Sequence, residues 1–305
     1  MPVPPEFLPL TGLYEPSAIQ QLADGRFLVV EDEQEHPFSL VTLSADGTVK
    51  SQAMGPGWFE GNSAFWKLDD LEGLTADTQG YLYALTSHSR NDDGDQKKSR
   101  DKLVRFRIEG DRVREPVVVS GLKPALIAAH PVLAAAAGIE DVKSDGGLNI
   151  EALEITPDRQ QLLVGFRTPL LGGAAIIASI ANPSAMFEAG EAPRLSSGLL
   201  TLDLGGQGIR GMAWIAALDG YLIISGPASL AAQVFGLWFW SGQPQSAARR
   251  VGVPGLQHFD RAEGVSTALI DGVAHIVLVS DDGKREKGRL AHFVLLEPGQ
   301  LQISS

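Results

Sequence analysis

The sequence predicts an all-β fold, a five-bladed β-propeller of four-stranded antiparallel blades, on three observations. One outline recurs five times: a Glu-Gly or its substitute, a short alternating run, a polar turn, and a second apolar run ending in polar residues. The units open at Ser17, Glu72, Glu151, Arg210 and Glu263, spaced 55, 79, 59 and 53 residues apart, which suits propeller blades. The last unit has a weak tail while residues 7–14 (FLPLTGLY) form a spare strand, so pairing the two closes the ring. Six blades is the alternative, if the long spacing hides another sheet.

Each unit justifies its strands by alternation and turn chemistry. Unit 1 runs from SAIQQL through the Asp24-Gly25 turn to FLVV, then SLVTLSADGTVKSQAM supplies two outer strands. Unit 2 is Asp70 to Arg90, DLEGLTADTQGYLYALTSHSR, a hairpin continued after the charged loop NDDGDQKKSRD by KLVRFRIEGDRVREPVVVS. That loop is a solvated excursion lacking the spaced ligands of a calcium-binding hand. Residues 122–148 then break the pattern: PALIAAHPVLAAAAGIEDVKSDGG is rich in Ala and Leu and reads as a helical insertion around Pro131. Unit 3 is LNIEALEITPDRQQLLVGFRTPL with AAIIASI and GLLTLDL, unit 4 GIRGMAWIAALDGYLIISGP with FGLWFWSG, and unit 5 RAEGVSTALIDGVAHIVLVSDDG with LAHFVLLEPG. Gly206, Gly208 and Gly211 spell GxGxxG, but a hairpin and not a helix follows, so no dinucleotide site is expected. Residues 1–305 read as a single domain.

Composition excludes several functions. A formal charge of -12 disfavours a nucleic-acid partner. Zero cysteines remove disulfides, thiolate metal sites and cysteine nucleophiles. The longest apolar stretch, residues 125–139, is interrupted by His130 and Pro131 and is too short for a bilayer, so no membrane partner is expected. The N-terminus lacks a secretory pattern, which suits the cytoplasm, or the periplasm for a trimmed mature form.

The chemistry is expected at one channel mouth. The unit openers form an inner ring of Ser17, Glu72, Glu151, Arg210 and Glu263. Sixteen residues on, where the chain returns, lie Glu33, His88 and Arg167, with Ser280 and Asp281 at the same level in unit 5. Two carboxylates about 4 Å apart repel by roughly 4 kcal/mol at an effective dielectric near 20. The ring therefore needs a cation, either bound Ca²⁺ held by the oxygens of Ser17, Glu72, Glu151 and Glu263, or Arg210 in its place. Arg90 and Arg167, with Glu33 and Arg210 nearby, suit a small anionic ligand, and His88 or Asp281 could serve as base. The expectation is a calcium-binding propeller and, if an enzyme, a metal-dependent hydrolase of a phosphate ester or lactone, with a noncatalytic ligand- or protein-binding propeller as the alternative. Both insertions overhang the same mouth.

SHSRN at 87–91, GFRTPL at 165–170 and GIRGMAW at 208–214, with the Glu-Gly repeats, resemble a bacterial family classed as a domain of unknown function. That family looks like a β-propeller family, and the resemblance implies no substrate. More distantly, the ring positions resemble those of calcium-activated apyrases, five-bladed propellers in which Ser, Glu, Glu, Ser and Glu line a central calcium. Ser17, Glu72, Glu151 and Glu263 match that order, and Arg210 departs from it. This resemblance implies calcium and nucleotide hydrolysis; phytase-like and lactonase-like propellers also carry calcium at a channel mouth.

Overall fold

A computed structural model describes residues 4–32, 36–57, 63–229, 234–259 and 261–304. The strands are β1 (Leu8–Leu10), β2 (Pro16–Gln21), β3 (Phe27–Glu31), β4 (Phe38–Leu43), β5 (Val49–Met54), β6 (Leu71–Ala76), β7 (Leu82–Thr86), β8 (Leu103–Glu109) and β9 (Arg112–Val119). Helices α1 (Leu122–Ala129), α2 (Pro131–Ala137) and α3 (Val142–Asp145) follow. Then come β10 (Asn149–Ile155), β11 (Leu162–Thr168), β12 (Ala175–Ile180), α4 (Pro183–Ala189), β13 (Leu200–Leu202), β14 (Gly208–Ile215), β15 (Gly220–Gly226), β16 (Gly236–Trp240) and β17 (Arg249–Gly252). The chain ends with β18 (Ala262–Ile270), β19 (Val273–Ser280), β20 (Ala291–Leu296) and β21 (Gln302–Ile303).

These strands form five antiparallel sheets, in the orders β2-β3-β4-β5, β6-β7-β8-β9, β10-β11-β12-β13, β14-β15-β16-β17-β21 and β1-β20-β19-β18. The ring closes as the sequence predicts: Leu8 pairs with Phe293 and Leu10 with Ala291. Five sheets leave no place for a sixth blade. The C-terminal β21 joins blade 4 instead, through Val251 opposite Ile303.

Burial follows position in the blade. β3 and β10 are buried throughout because both of their faces meet other blades, whereas β5 (VKSQAM) is mostly exposed and β17 carries Arg249 and Arg250 outward. Charges on an outer strand also discourage pairing with another chain. The apolar interior is divided among the junctions between blades. Leu28, Phe38 and Phe106 fill the junction of blades 1 and 2, for example, and Leu10, Phe27 and Phe293 that of blades 5 and 1. The insertion is helical as expected, with Pro131 opening α2, where its missing N–H costs nothing. Leu122, Leu126 and Leu133 bury its apolar side against blades 2 and 3. Gly208 and Gly211 lie in strand β14, in agreement with the hairpin reading.

The inner strands β2, β6, β10, β14 and β18 pack side by side around the channel. Each carries a register shift at its opening residue: between Pro16 and Ala18, Leu71 and Gly73, Ile150 and Ala152, Ile209 and Gly211, and Ala262 and Gly264. Such a bulge leaves one residue unpaired and re-aims its side chain. Those residues are Ser17, Glu72, Glu151, Arg210 and Glu263. The residue after each is small, Ala18, Gly73, Ala152, Gly211 and Gly264, because neighbouring inner strands approach closely there. A Cβ on Gly73 would stand 2.9 Å from the Leu153 amide nitrogen, and one on Gly264 3.0 Å from the Ala18 Cα.

Candidate functional site at the channel mouth

Eight of the ten residues singled out from the sequence share one cavity of about 310 Å³: Ser17, Glu72, Arg90, Glu151, Arg167, Arg210, Glu263 and Asp281. Glu33 lies outside the described residues. His88 is a correction: it does not line the cavity. It is fully buried, its Nδ1–H donates to the Thr86 carbonyl (2.7 Å), and Nε2 has no partner among the described residues. Burial lowers its pKa to about 4, so it is neutral at physiological pH and belongs to the packing beneath the mouth.

The miss has a register cause. Glu31 pairs with Pro16, Thr86 with Leu71 and Phe166 with Ile150, so the residues beside the openers are Asp32, Ser87 and Arg167. The first two hairpins turn through residues 22–26 and 77–81, the third through 156–161, one residue longer. A constant count of sixteen therefore overshoots by one in blades 1 and 2, and a one-residue slip changes the face. Asp32 occupies the place expected for Glu33.

A third tier was not foreseen. Two residues before the openers stand Glu15, Asp70, Asn149, Gly208 and Arg261, polar in every unit but the fourth. Asp70 and Asn149 line the cavity. Asp70 has a left-handed backbone (φ 64°) and accepts hydrogen bonds from the hydroxyls of Ser87 and Ser89, the latter at 3.1 Å. Arg100, from the loop between β7 and β8, spans Asp70 (2.9 Å) and Asp69 (3.0 Å). Asp32 lines the same cavity, and its carboxyl is pushed up by lost hydration first and by the Asp70 charge next.

Arg210 governs the inner ring. Its Nε reaches Glu151 Oε2 at 2.8 Å and its Nη1 Glu151 Oε1 at 3.0 Å, while Nη2 pairs with Glu263. Arg167 Nη1 adds a contact to Glu151 Oε1 at 3.2 Å. Glu72 carries its proton far above the ordinary carboxyl range, through burial first and then the charges of Glu151, Asp70 and Asp32. Guanidinium and proton thus offset the carboxylates. This donor set does not fit calcium: Ca²⁺ needs six to eight oxygens turned to one point, and Glu151 and Glu263 are engaged by Arg210. Among the described residues no group of three or more metal-ligating side chains is assembled. Below the ring the channel narrows to a space of about 10 Å³.

The two insertions overhang it, as expected. Arg90 donates from Nη1 to the Gly94 carbonyl (2.8 Å) in the charged loop and from Nε to the Ala137 carbonyl (3.4 Å) at the end of α2. Lys143 binds Asp92 at 2.9 Å across the same gap. Arg90 has no carboxylate within salt-bridge reach among the described residues, which sets it apart from Arg100, Arg167 and Arg210. Asp281, opposite, is raised to about 6, by burial first, against the pull of Arg210 and Arg261.

At the other end of the channel Glu154 is buried and accepts the Trp214 N–H at 3.0 Å, tying blade 3 to blade 4. Burial raises its carboxyl from 4.5 to about 8. The folded protein therefore holds a proton that the unfolded chain loses, and this contribution to stability is full below about pH 4.5 and fades as pH rises through 8. Glu154→Gln, which mimics the protonated form, is expected to lose less stability than the parent between pH 6 and pH 9, by on the order of 1–3 kcal/mol. Urea unfolding at the two pH values checks it, and equal losses would contradict it.

Residues 139–295 match the family of proteins of unknown function DUF3616. That is just over half of the chain, and the chain belongs to this family. No curated protein matches it. Among solved structures it is similar to a candidate oxidoreductase (glucose dehydrogenase) from Thermus thermophilus, at 16% identity, covering 96% of this chain and 100% of that one with a TM-score of 0.48. It is also similar to the PQQ-bound aldose sugar dehydrogenase of Streptomyces coelicolor, at 16% identity and 99% coverage of both chains with a TM-score of 0.44. The fold assignment rests on the strand pairing itself.

Proposed function

We propose that this propeller binds a small anionic molecule in the mouth cavity, between the inner ring and the two insertions. The observation that carries the reading is Arg90, a cavity-lining guanidinium fixed by two backbone carbonyls and facing no carboxylate among the described residues. Such a fork suits a carboxylate or phosphate held by paired hydrogen bonds. Arg167 stands on the same wall, partly neutralised by Glu151. The volume is at the lower limit of ligand pockets, about 300 Å³, so a small molecule fits this site better than a protein segment. Calcium has no part in this reading, because Arg210 already serves the ring.

Titration calorimetry with inorganic phosphate, citrate and D-glucuronate tests it. At least one of the three should bind the parent chain, and Arg90→Ala should weaken that binding about 10- to 100-fold, the loss expected for hydrogen bonds to a charged group. Binding of none, or equal affinity in the variant, would overturn the reading.

A further inference from the structure

We propose that the mouth cavity takes a small amino acid, with its carboxylate on Arg90 and its ammonium in the bare half of the inner ring, against Ser17, Glu72 and Asp281. The proposal rests on the reading of Arg90 as the seat of an anionic group, and goes beyond it to a second, positive charge on the same ligand.

Charge around the cavity is unbalanced. Nine acidic and five basic side chains line it. All the basic ones but Arg90 are spent within the protein: Arg210 on Glu151 and Glu263, Arg167 on Glu151, Arg100 on Asp70, and Lys143 on Asp92. Asp32, Glu140 and Asp141 are exposed to solvent. Glu72 and Asp281 remain, and neither carboxyl has an ion-pair or hydrogen-bond partner among the described residues. A purely anionic ligand would add to this excess, whereas one that also carries a cation offsets it.

The bare groups share one half of the ring. Arg210 of blade 4 holds the glutamates of blades 3 and 5. On the other side, the inner strands of blades 5, 1 and 2 (β18, β2 and β6) are neighbours. Ser17 lies on β2, Glu72 on β6, and Asp281 directly after β19, the return strand of blade 5. Ser17 is the independent sign of a ligand. It is 2% exposed and lines the cavity, and its hydroxyl makes no hydrogen bond with any described residue. A buried hydroxyl in that state has given up its bond to water, and a donor in the cavity would restore it.

A primary ammonium suits these acceptors, because its three donors radiate from one compact nitrogen. A quaternary ammonium would call for aromatic faces, and none of the described residues lining the cavity is aromatic. The body of the ligand is short, since Val142 is the one apolar side chain among them. A metal ion would serve this half of the ring and leave Arg90 unmatched, whereas an amino acid meets both. In the free ring Glu72 holds a proton for want of a cation, and the ligand's ammonium would take that proton's place.

The test is titration calorimetry on the full chain with glycine, β-alanine and 4-aminobutyrate, each beside the carboxylate that lacks only the amino group: acetate, propionate and butyrate. At least one amino acid should bind about 10-fold or more tightly than its partner, the worth of hydrogen bonds to a charged group. Glu72→Gln, which keeps the shape and removes the charge, should weaken that amino acid about 10-fold, while the affinity for phosphate, citrate or D-glucuronate, whichever binds the parent, does not fall. Ser17→Ala should weaken the amino acid too, and decides the matter if Glu72→Gln fails to fold. Arg90→Ala should weaken both kinds of ligand. If an anion binds and no amino acid exceeds its partner, the amino-acid proposal is overturned and the anion site stands. Equal affinity for the amino acid in the parent, Glu72→Gln and Ser17→Ala would also overturn it. Amino-acid binding that survives Arg90→Ala undiminished would bring down both readings, as would binding of nothing at all.

Discussion

Arg210→Leu is expected to destabilise the propeller by about 3–5 kcal/mol, the cost of leaving buried charges without their partner. The reason lies in how much converges on one side chain. Glu151 and Glu263 are 2% and 4% exposed, and Arg210 contacts both. Arg167 still reaches Glu151 in the variant, so the uncompensated charge falls chiefly on Glu263. For a chain of this size the melting temperature should drop on the order of 10 °C. Calcium sharpens the test. Removing the guanidinium leaves Glu72, Glu151 and Glu263 facing one another, and millimolar Ca²⁺ should then raise the variant's melting temperature by mass action while leaving the parent unchanged. A parent stabilised by Ca²⁺ and weakened by chelation would contradict the placement of Arg210.

Gly73→Ala and Gly264→Ala are each expected to cost about 1–3 kcal/mol, the usual penalty for overpacking. In an ordinary strand the same change gains about 0.5–1 kcal/mol, because glycine loses more freedom on folding. Here the added methyl meets backbone. At Gly73 it would lie 2.7 Å from the Leu153 Cβ and 2.9 Å from the Leu153 nitrogen, and at Gly264 2.5 Å from Val279 Cγ2 and 3.0 Å from the Ala18 Cα. Blades 2 and 3, or 5 and 1, must separate to admit it, which loosens the ring as well as the core. Chemical unfolding measures the change, and stabilised variants would refute the close approach of inner strands as the reason for the Glu-Gly repeats.

The ring was legible because a propeller repeats one solution, so Ser17, Glu72, Glu151, Arg210 and Glu263 announce each other by position. What a linear reading lacks is turn length. Asp32 and Ser87 were missed by one residue because the hairpins of blades 1 and 2 are shorter than that of blade 3, and the same slip assigned to the mouth His88, which lies in the packing beneath it. Arg210 was visible as the exception in its ring, yet whether it partners a metal or replaces one depends on the reach of a long side chain across the channel. Asp70 and Asn149 had a signal in the polar position two before each opener, which only the paired strands make recognisable as a tier. The helical insertion was readable from its Ala-rich composition, and its part in holding Arg90 through the Ala137 carbonyl was not, since a backbone contact leaves no mark on residue type.

The most direct measurement is a crystal structure of the protein soaked with calcium and D-glucuronate together. The account predicts ligand density beside Arg90, with Arg210 still seated between Glu151 and Glu263. An ion coordinated by Glu72, Glu151 and Glu263 with Arg210 displaced, and no density at Arg90, would contradict it.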